Sequence, residues 1–134
     1  MSPAADRRMA RERALELLYE ADAKAATVAE ILAALPVEPD SYAVDVVNGV
    51  SEHAARIDEL ITRLASDWPL DRMPTVDRCV LRLGVYELAE RPDVPTAVIL
   101  DEAVALAKRY STDEGGRFVN GVLAAAALEL RKTS

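Results

Sequence analysis

The chain has 134 residues and a formal net charge of -7, with 16 lysine and arginine residues against 23 aspartate and glutamate residues. This balance excludes a general nucleic-acid coat, because nonspecific affinity needs broad positive charge, so any nucleic-acid site must be local. Apolar residues make up 51% of the chain and aromatic residues 4%, and glycine is scarce, which is typical of an all-α protein. We expect one domain over residues 1–134 with a core of its own.

The single cysteine and the single histidine limit the chemistry of the chain. Cys79 has no partner for an internal disulfide, which fits a reducing cytoplasm. His53 is the only histidine, and one histidine with one cysteine cannot complete an ordinary zinc site or a di-iron bundle. The sequence also lacks glycine-rich phosphate-binding motifs, the Gly-x-Ser-x-Gly motif of hydrolases, a secretory signal pattern and an apolar run of membrane-spanning length. We therefore expect a cytoplasmic protein that is not an enzyme and binds no cofactor, metal or membrane.

The first predicted helix, over residues 5–22, opens with three arginines. Arg7 and Arg11 lie one turn apart and Arg8 lies three positions before Arg11, so we expect the three guanidinium groups to converge on one side of the helix. The planar arginine side chain matches phosphate oxygens with two parallel hydrogen bonds, which makes a nucleic-acid backbone the natural anion. The alternative is a solvated basic face that nearby glutamates balance. Tyr19 follows along the edge of this helix, where a phenol can serve a partner or simply pack.

The middle of the chain is predicted to contain a short helix and a long one. The short helix covers residues 27–35, before two prolines. Apolar residues then alternate steps of three and four, which predicts one long helix over about residues 41–67 that ends near Pro69. Residues 70–74 form a turn or a single short helical turn.

The next predicted helix is apolar on almost all sides and therefore belongs at the centre of the fold. Thr75 is expected to cap it. Its few charged residues are expected to mark where it reaches the surface, namely Asp77, Arg78, Arg82 and Glu87.

Two more helices are predicted in the last third of the chain. One covers residues 96–110, and the start of the other is assigned to a capping box formed by Ser111 and Glu114. Arg117 and Phe118 lie in the first turn of this last helix, where an arginine, an aromatic ring and helix N-H groups together suit single-stranded RNA. Phe118 can equally be a core residue, since it belongs to an apolar stripe.

Four groups of motifs, in order along most of the chain, resemble the NusB transcription antitermination factors. They are RRMARE at residues 7–12 with LLY at 17–19, DRCVLR at 77–82 with VYEL at 85–88, DEAV at 101–104 with LAK at 106–108, and FVNGVL at 118–123. Residues 23–42 are the only long stretch without such a motif. The resemblance implies an all-α fold of six to seven helices packed as two small bundles.

The resemblance also implies a function. Proteins of this family bind the boxA element of nascent RNA together with the small-subunit ribosomal protein NusE. The pair helps RNA polymerase in the bacterial elongation complex to resist termination, notably on ribosomal RNA operons. Matched to this sequence, the RNA contacts of the family fall on Arg7, Arg8, Arg11, Arg117 and Phe118. Its NusE-facing positions fall on Tyr19, Asp71 and Asp77.

Two other interpretations differ in class from an RNA-binding adaptor. One is a helical interaction module that forms a homodimer and does not bind RNA directly. The other, an RNA methyltransferase with a NusB-like domain, requires a much longer chain with a cofactor-binding α/β pattern. Because the chain is acidic, we also expect weak binding of RNA in the absence of NusE.

Overall fold

The computed structural model describes residues 3–131, with side chains from Asp6 onward, and residues 1–2 and 132–134 of the predicted domain lie outside the described residues. Between residues 3 and 131 all regular secondary structure is helical, as predicted, and none of these helices is long and apolar enough to cross a membrane. The elements in chain order are α1 (Pro3–Lys24), α2 (Val28–Ala33), α3 (Ser41–Glu52), α4 (Ala54–Leu64), a 3-10 turn (Leu70–Arg72), α5 (Thr75–Glu90), α6 (Thr96–Tyr110) and α7 (Asp113–Leu130).

Helix α5 lies at the centre of the fold, because its apolar side chains point in all directions and can be buried only by helices around it. Helices α1, α2 and α3 pack on one another as one small bundle, and α1 and α3 also contact α5. Helices α4 and α6 both pack on α5 and on α7, which makes the second bundle. The buried apolar side chains of both bundles form a single core. The predicted architecture of two small bundles is therefore confirmed.

The long helix predicted over residues 41–67 is wrong, since the structure has two helices there. The chain leaves the helical conformation at His53, whose φ of -103° and ψ of 17° end α3 and begin α4. Backbone hydrogen bonds continue through the bend, from His53 N-H to Gly49 O (3.0 Å) and from Ile57 N-H to His53 O (3.0 Å). The apolar period also continues, but α3 packs against α1 and α5 whereas α4 packs against α5 and α7. A straight helix cannot reach both sets of neighbours.

Two helix starts also differ from the predicted ones. Pro74 occupies the N-cap position of α5, and Thr75 is the first helical residue rather than the cap. Thr112, not Ser111, caps α7, because its Oγ1 accepts a hydrogen bond from the Gly115 N-H at 2.8 Å. Ser111 instead ends α6, so the predicted capping box does not form.

Candidate nucleic-acid interface

The buried part of the N-terminal arginine cluster is an ion pair between α1 and α5. Arg11 and Glu87 are 2% and 1% exposed, and Nε of Arg11 lies 3.0 Å from both carboxylate oxygens of Glu87. The hydroxyl of Tyr42 in α3 donates a further hydrogen bond to Glu87. Burial acts to lower the pKa of Arg11, but the hydrogen bond and the charge of Glu87 outweigh it and raise that pKa, so Arg11 stays charged. Arg11 therefore ties α1 to the centre of the fold.

Arg8 lies on the outside of α1 and is held by a carboxylate from α6. Its side chain is 62% exposed, whereas that of Glu102 is 13% exposed. Nε of Arg8 is 3.1 Å from both oxygens of Glu102 and Nη2 is 2.9 Å from Oε1, and these hydrogen bonds raise the pKa of Arg8. No partner among the described residues engages Nη1 of Arg8. Arg8 can therefore offer donors to a phosphate while Glu102 fixes its position.

Arg7 lies over an aromatic ring. Its Cζ is 4.1 Å from the centroid of the Tyr42 ring, a cation-π geometry, and its Nη1 lies 3.8 Å from Oδ2 of Asp93. Arg91 lies over the same ring at 4.6 Å and pairs with Asp93 and Asp45. The ring and the loop between α5 and α6 thus hold Arg7 in place, and its side chain stays 37% exposed.

The expected convergence of three guanidinium groups is therefore wrong for Arg11. Its position on α1 faces the core, where Glu87 neutralises it, so the buried pair is removed from solvent. Arg7 and Arg8 remain accessible, and each of them has a carboxylate partner, as the alternative of a balanced basic face assumes. A role for Arg11 in RNA binding stays a prediction.

The charged residues of α5 do not all mark its surface. Arg78 and Arg82 reach solvent in part, with side chains 13% and 22% exposed. Asp77 and Glu87 are each 1% exposed, so the prediction is wrong for both. Glu87 is compensated by its buried partners, whereas Asp77 lies against the backbone of α7.

At the start of α7, Phe118 packs against the protein while Arg117 faces solvent. Phe118 is half-buried and meets the ring of Trp68 edge-on, with 4.7 Å between the ring centroids. It also packs against the core, which agrees with the core interpretation of this residue. Arg117 is exposed, and no carboxylate of the described residues lies within 4.0 Å of its guanidinium.

Helix α6 connects the two candidate RNA sites. In its first half Glu102 holds Arg8, and near its end Lys108 lies over Gly116, where an added Cβ would come within 2.7 Å of Cγ of Lys108. Glu102 and Lys108 are about 9 Å apart along the helix axis. Because Gly116 precedes Arg117, the candidate sites at Arg8 and at Arg117 border the same helix, which allows one continuous surface.

The three positions matched to NusE contacts have different surroundings. Tyr19 is 46% exposed and lines a groove of about 530 Å³ with Tyr110, between α1 and α6. Asp71 is exposed in the 3-10 turn. Asp77 is buried against the first turn of α7, and its oxygens would lie 2.9 Å from a Cβ placed on Gly115. The carboxylate of Asp77 is therefore not exposed to a partner, and its role in NusE binding stays a prediction.

Asp77→Asn is expected to stabilise the chain by about 1 kcal/mol near pH 7. Burial raises the pKa of Asp77, and its Oδ1 has no hydrogen-bond partner within the described part of the chain. A carboxyl group with a raised folded pKa stabilises the fold fully below its unfolded pKa, and this contribution is lost as pH rises through the folded pKa. Asparagine does not ionise, so the advantage of the variant should vanish below about pH 4. Urea unfolding at both pH values measures it, and an advantage independent of pH would contradict the explanation.

The residues that hold the arginines in place are missing from the sequence-based site. Tyr42 lies beside both Arg7 and Arg11, while Glu87, Asp93 and Glu102 each contact one of the three arginines. Of these residues, only Glu87 carries a signal in the sequence. It is an acidic residue in a helix that is apolar on almost all sides, which indicates a buried charge that needs a partner. The other three become visible only when α3, α6 and the loop between α5 and α6 are brought next to α1.

Comparison with known proteins agrees with this architecture. The NusB family model matches residues 8–128 of the chain. The transcription antitermination protein NusB of Kineococcus radiotolerans is 49% identical over 133 residues, which cover 96% of this chain and 97% of that protein. The structure of T. maritima NusB is similar with a TM-score of 0.83 at 36% identity, covering 96% of this chain and 93% of that chain.

A solved complex also contains a similar chain. This crystal structure, of the antitermination factors NusB and NusE in complex with dsRNA, matches with a TM-score of 0.76 at 29% identity. The match covers 93% of this chain and 98% of that chain. The family match extends over most of the sequence, and the relatives are covered almost completely. The chain therefore belongs to the NusB family.

Proposed function

We propose that this chain is a bacterial transcription antitermination factor that acts in the cytoplasm as a single domain without catalytic activity. It binds boxA RNA together with the ribosomal protein NusE in the elongation complex and supports transcription of ribosomal RNA operons. The observation that carries the proposal is the accessible pair Arg7 and Arg8 at the start of α1, on a chain with a net charge of -7. A local basic site on an acidic protein suits a specific phosphate-bearing ligand rather than bulk nucleic acid. Similarity to a chain of the complex with NusE and RNA supports both partners.

Each candidate RNA residue has a different role in this proposal. Arg7, Arg8 and Arg117 contact phosphates, because their guanidinium groups reach solvent. Arg11 fixes α1 from inside, since Glu87 occupies its guanidinium. Phe118 borders a base with the part of its ring that the protein leaves accessible.

NusE docks at the groove between α1 and α6 in this proposal. Tyr19 and Tyr110 are 46% and 44% exposed and provide aromatic anchors. Glu16, Glu20 and Lys24 line the same groove, and Lys24 pairs with Glu20 at 3.2 Å, so its rim carries charges of both signs for a polar partner to meet. Asp71 is a predicted contact outside the groove. Basic side chains of the partner would also offset the negative charge of this chain near RNA.

Arg8→Ala is expected to weaken binding of a single-stranded RNA that contains boxA about tenfold in the presence of NusE. The Arg8 side chain is 62% exposed and its Nη1 is available to a phosphate. Loss of one phosphate contact should also lower the slope of log affinity against log salt by about 0.7 for a single strand. Fluorescence anisotropy titrations at several salt concentrations, with and without NusE, measure both quantities.

Arg63→Ala is the matched control. Arg63 is 56% exposed and pairs with Glu129, an ion pair between α4 and α7 that lies about 18 Å along α7 from Arg117. Its removal should change neither the affinity nor the salt slope. Equal values for the natural chain and Arg8→Ala would contradict the proposal. If RNA also leaves the sedimentation of the chain unchanged, a homodimeric interaction module explains the protein better.

A further inference from the structure

We propose that Arg109, with Lys108 beside it, forms a phosphate-binding site between the Arg8 and Arg117 sites and joins them into one RNA path. This inference rests on the proposed function, since it assigns a further contact to the same RNA. Lys108 and Arg109 are the only cationic residues of α6. They lie at the end of α6 that follows Glu102, the carboxylate that holds Arg8.

Arg109 lies at the seam between α1 and α6. Its Nη1 donates a hydrogen bond of 2.8 Å to Oε1 of Glu12, which is one helical turn after Arg8. The side chain of Arg109 is 63% exposed and that of Glu12 is 27% exposed. Only Nη1 of Arg109 is engaged by the described residues, which leaves its Nε and Nη2 donors without a partner there. A guanidinium that is anchored at one nitrogen and open at the others can receive a phosphate without first being released.

An exposed aromatic ring accompanies this arginine. Cζ of Arg109 is 5.2 Å from the centroid of the Tyr110 ring, and Tyr110 is 44% exposed. The ring orients the guanidinium through this cation-π contact, and because Tyr110 also lines the groove proposed for NusE, the phosphate site of Arg109 borders that groove. The acidic partner Glu12 opposes phosphate approach, but its single contact leaves the rest of the guanidinium available.

Lys108 lies between Arg109 and α7 and extends the proposed RNA path toward Arg117. The aliphatic part of its side chain lies over Gly116, where a Cβ would come within 2.7 Å of Cγ and 3.2 Å of Cε. Lys108 is exposed, and within residues 3–131 neither it nor Arg117 has a carboxylate within 4.0 Å. The described residues therefore do not neutralise these two cations, in contrast to Arg8 and Arg109.

Spacing along α6 supports a separate contact. Glu102 and Arg109 are about 10 Å apart along the helix axis. A strand that follows α6 from Arg8 toward Arg117 crosses this interval. Without Arg109 and Lys108 the crossing would offer no cation from α6 to neutralise the intervening phosphate.

Arg109→Gln tests the inference, because it removes the charge and keeps most of the side-chain length. We expect the affinity for a single-stranded RNA that contains boxA to fall about threefold in the presence of NusE, and the salt slope to fall by about 0.7. Arg109→Lys keeps the charge and should keep the slope. Anisotropy titrations at several salt concentrations report both, and thermal unfolding checks that each variant is folded, since an exposed ion pair contributes little stability.

Arg63→Gln is the control, because it breaks an exposed ion pair of the same kind with Glu129 at 2.7 Å, away from α6. If Arg109→Gln behaves as Arg63→Gln while Arg8→Ala still weakens binding, the inferred phosphate site at Arg109 is wrong and the proposed function stands. If Arg109→Lys lowers the RNA affinity and the salt slope as much as Arg109→Gln does, the site does not act through the positive charge at position 109, and the inference fails. If Arg8→Ala and Arg117→Ala are also without effect, the proposed function itself fails.

Discussion

Arg11→Met is expected to lower the free energy of unfolding by about 3–5 kcal/mol. Arg11 and Glu87 are 2% and 1% exposed, and the substitution leaves Glu87 buried without its base. Tyr42 still donates one hydrogen bond to Glu87, but a neutral hydroxyl does not compensate a buried charge. Urea unfolding followed by circular dichroism at pH 7 measures the loss. The expected value is a large part of the stability of an ordinary domain.

The double variant Arg11→Met with Glu87→Met separates the cost of an orphaned charge from the cost of lost packing. Removing both charges replaces the ion pair with apolar volume, and we expect the double variant to recover to within about 2 kcal/mol of the natural chain. The remaining loss comes from the Tyr42 hydroxyl, which then lacks its acceptor. Arg63→Met, at an exposed pair, should cost no more than about 1 kcal/mol. Equal losses from Arg11→Met and Arg63→Met would show that the buried pair is not the link that the structure indicates.

The burial of Arg11 changes how the arginines should be tested. A weaker RNA complex of an Arg11 variant reports loss of the α1 position as much as loss of a phosphate contact. Arg8 and Arg109 do not have this problem, because both are more than half exposed and their partners lie near the surface. They are therefore the residues whose variants test the proposed RNA path.

The sequence contains a signal for the buried pair. Arg11, Leu15 and Leu18 follow the spacing of one helical face, and both leucines are buried. A base on the apolar face of one helix and the acid Glu87 in a helix apolar all round are each unfavourable alone, so their pairing is the consistent solution. Composition and charge counts hide this signal, because they treat the three arginines as equivalent.

Other features of the site lie beyond local sequence. Arg8 and Glu102 are 94 positions apart, and Glu12 and Arg109 are 97 positions apart, so only the fold, which brings α1 and α6 within side-chain reach, shows that they meet. The bend at His53 is likewise not predictable from local sequence. Neither proline nor a change of apolar period marks it, since the position is set by the different neighbours that α3 and α4 pack against.

Arg131→Met is expected to lower the free energy of unfolding by about 3 kcal/mol. The guanidinium of Arg131 closes the end of α5, since Nε donates to Leu88 O at 3.0 Å and Nη2 donates to Glu87 O at 3.1 Å. It also holds the following loop, through Nη2 to Arg91 O at 2.7 Å and through Nη1 to Val94 O. Carbonyl groups at a helix end have no partner within the helix, and a positive charge there is favourable.

The loss should be concentrated in one part of the molecule. We expect amide hydrogen exchange to accelerate first in residues 88–96, with a smaller effect in α2 and α4, because the carbonyls that Arg131 holds lie at the end of α5 and in the loop before α6. Arg131→Lys supplies fewer donors in a less fixed geometry and should fall between the natural chain and Arg131→Met. A loss below about 1 kcal/mol, or exchange that accelerates evenly along the chain, would contradict this role. The same loop carries Asp93, which lies 3.8 Å from Arg7, so loosening the loop should also free Arg7, a residue of the proposed RNA site on α1.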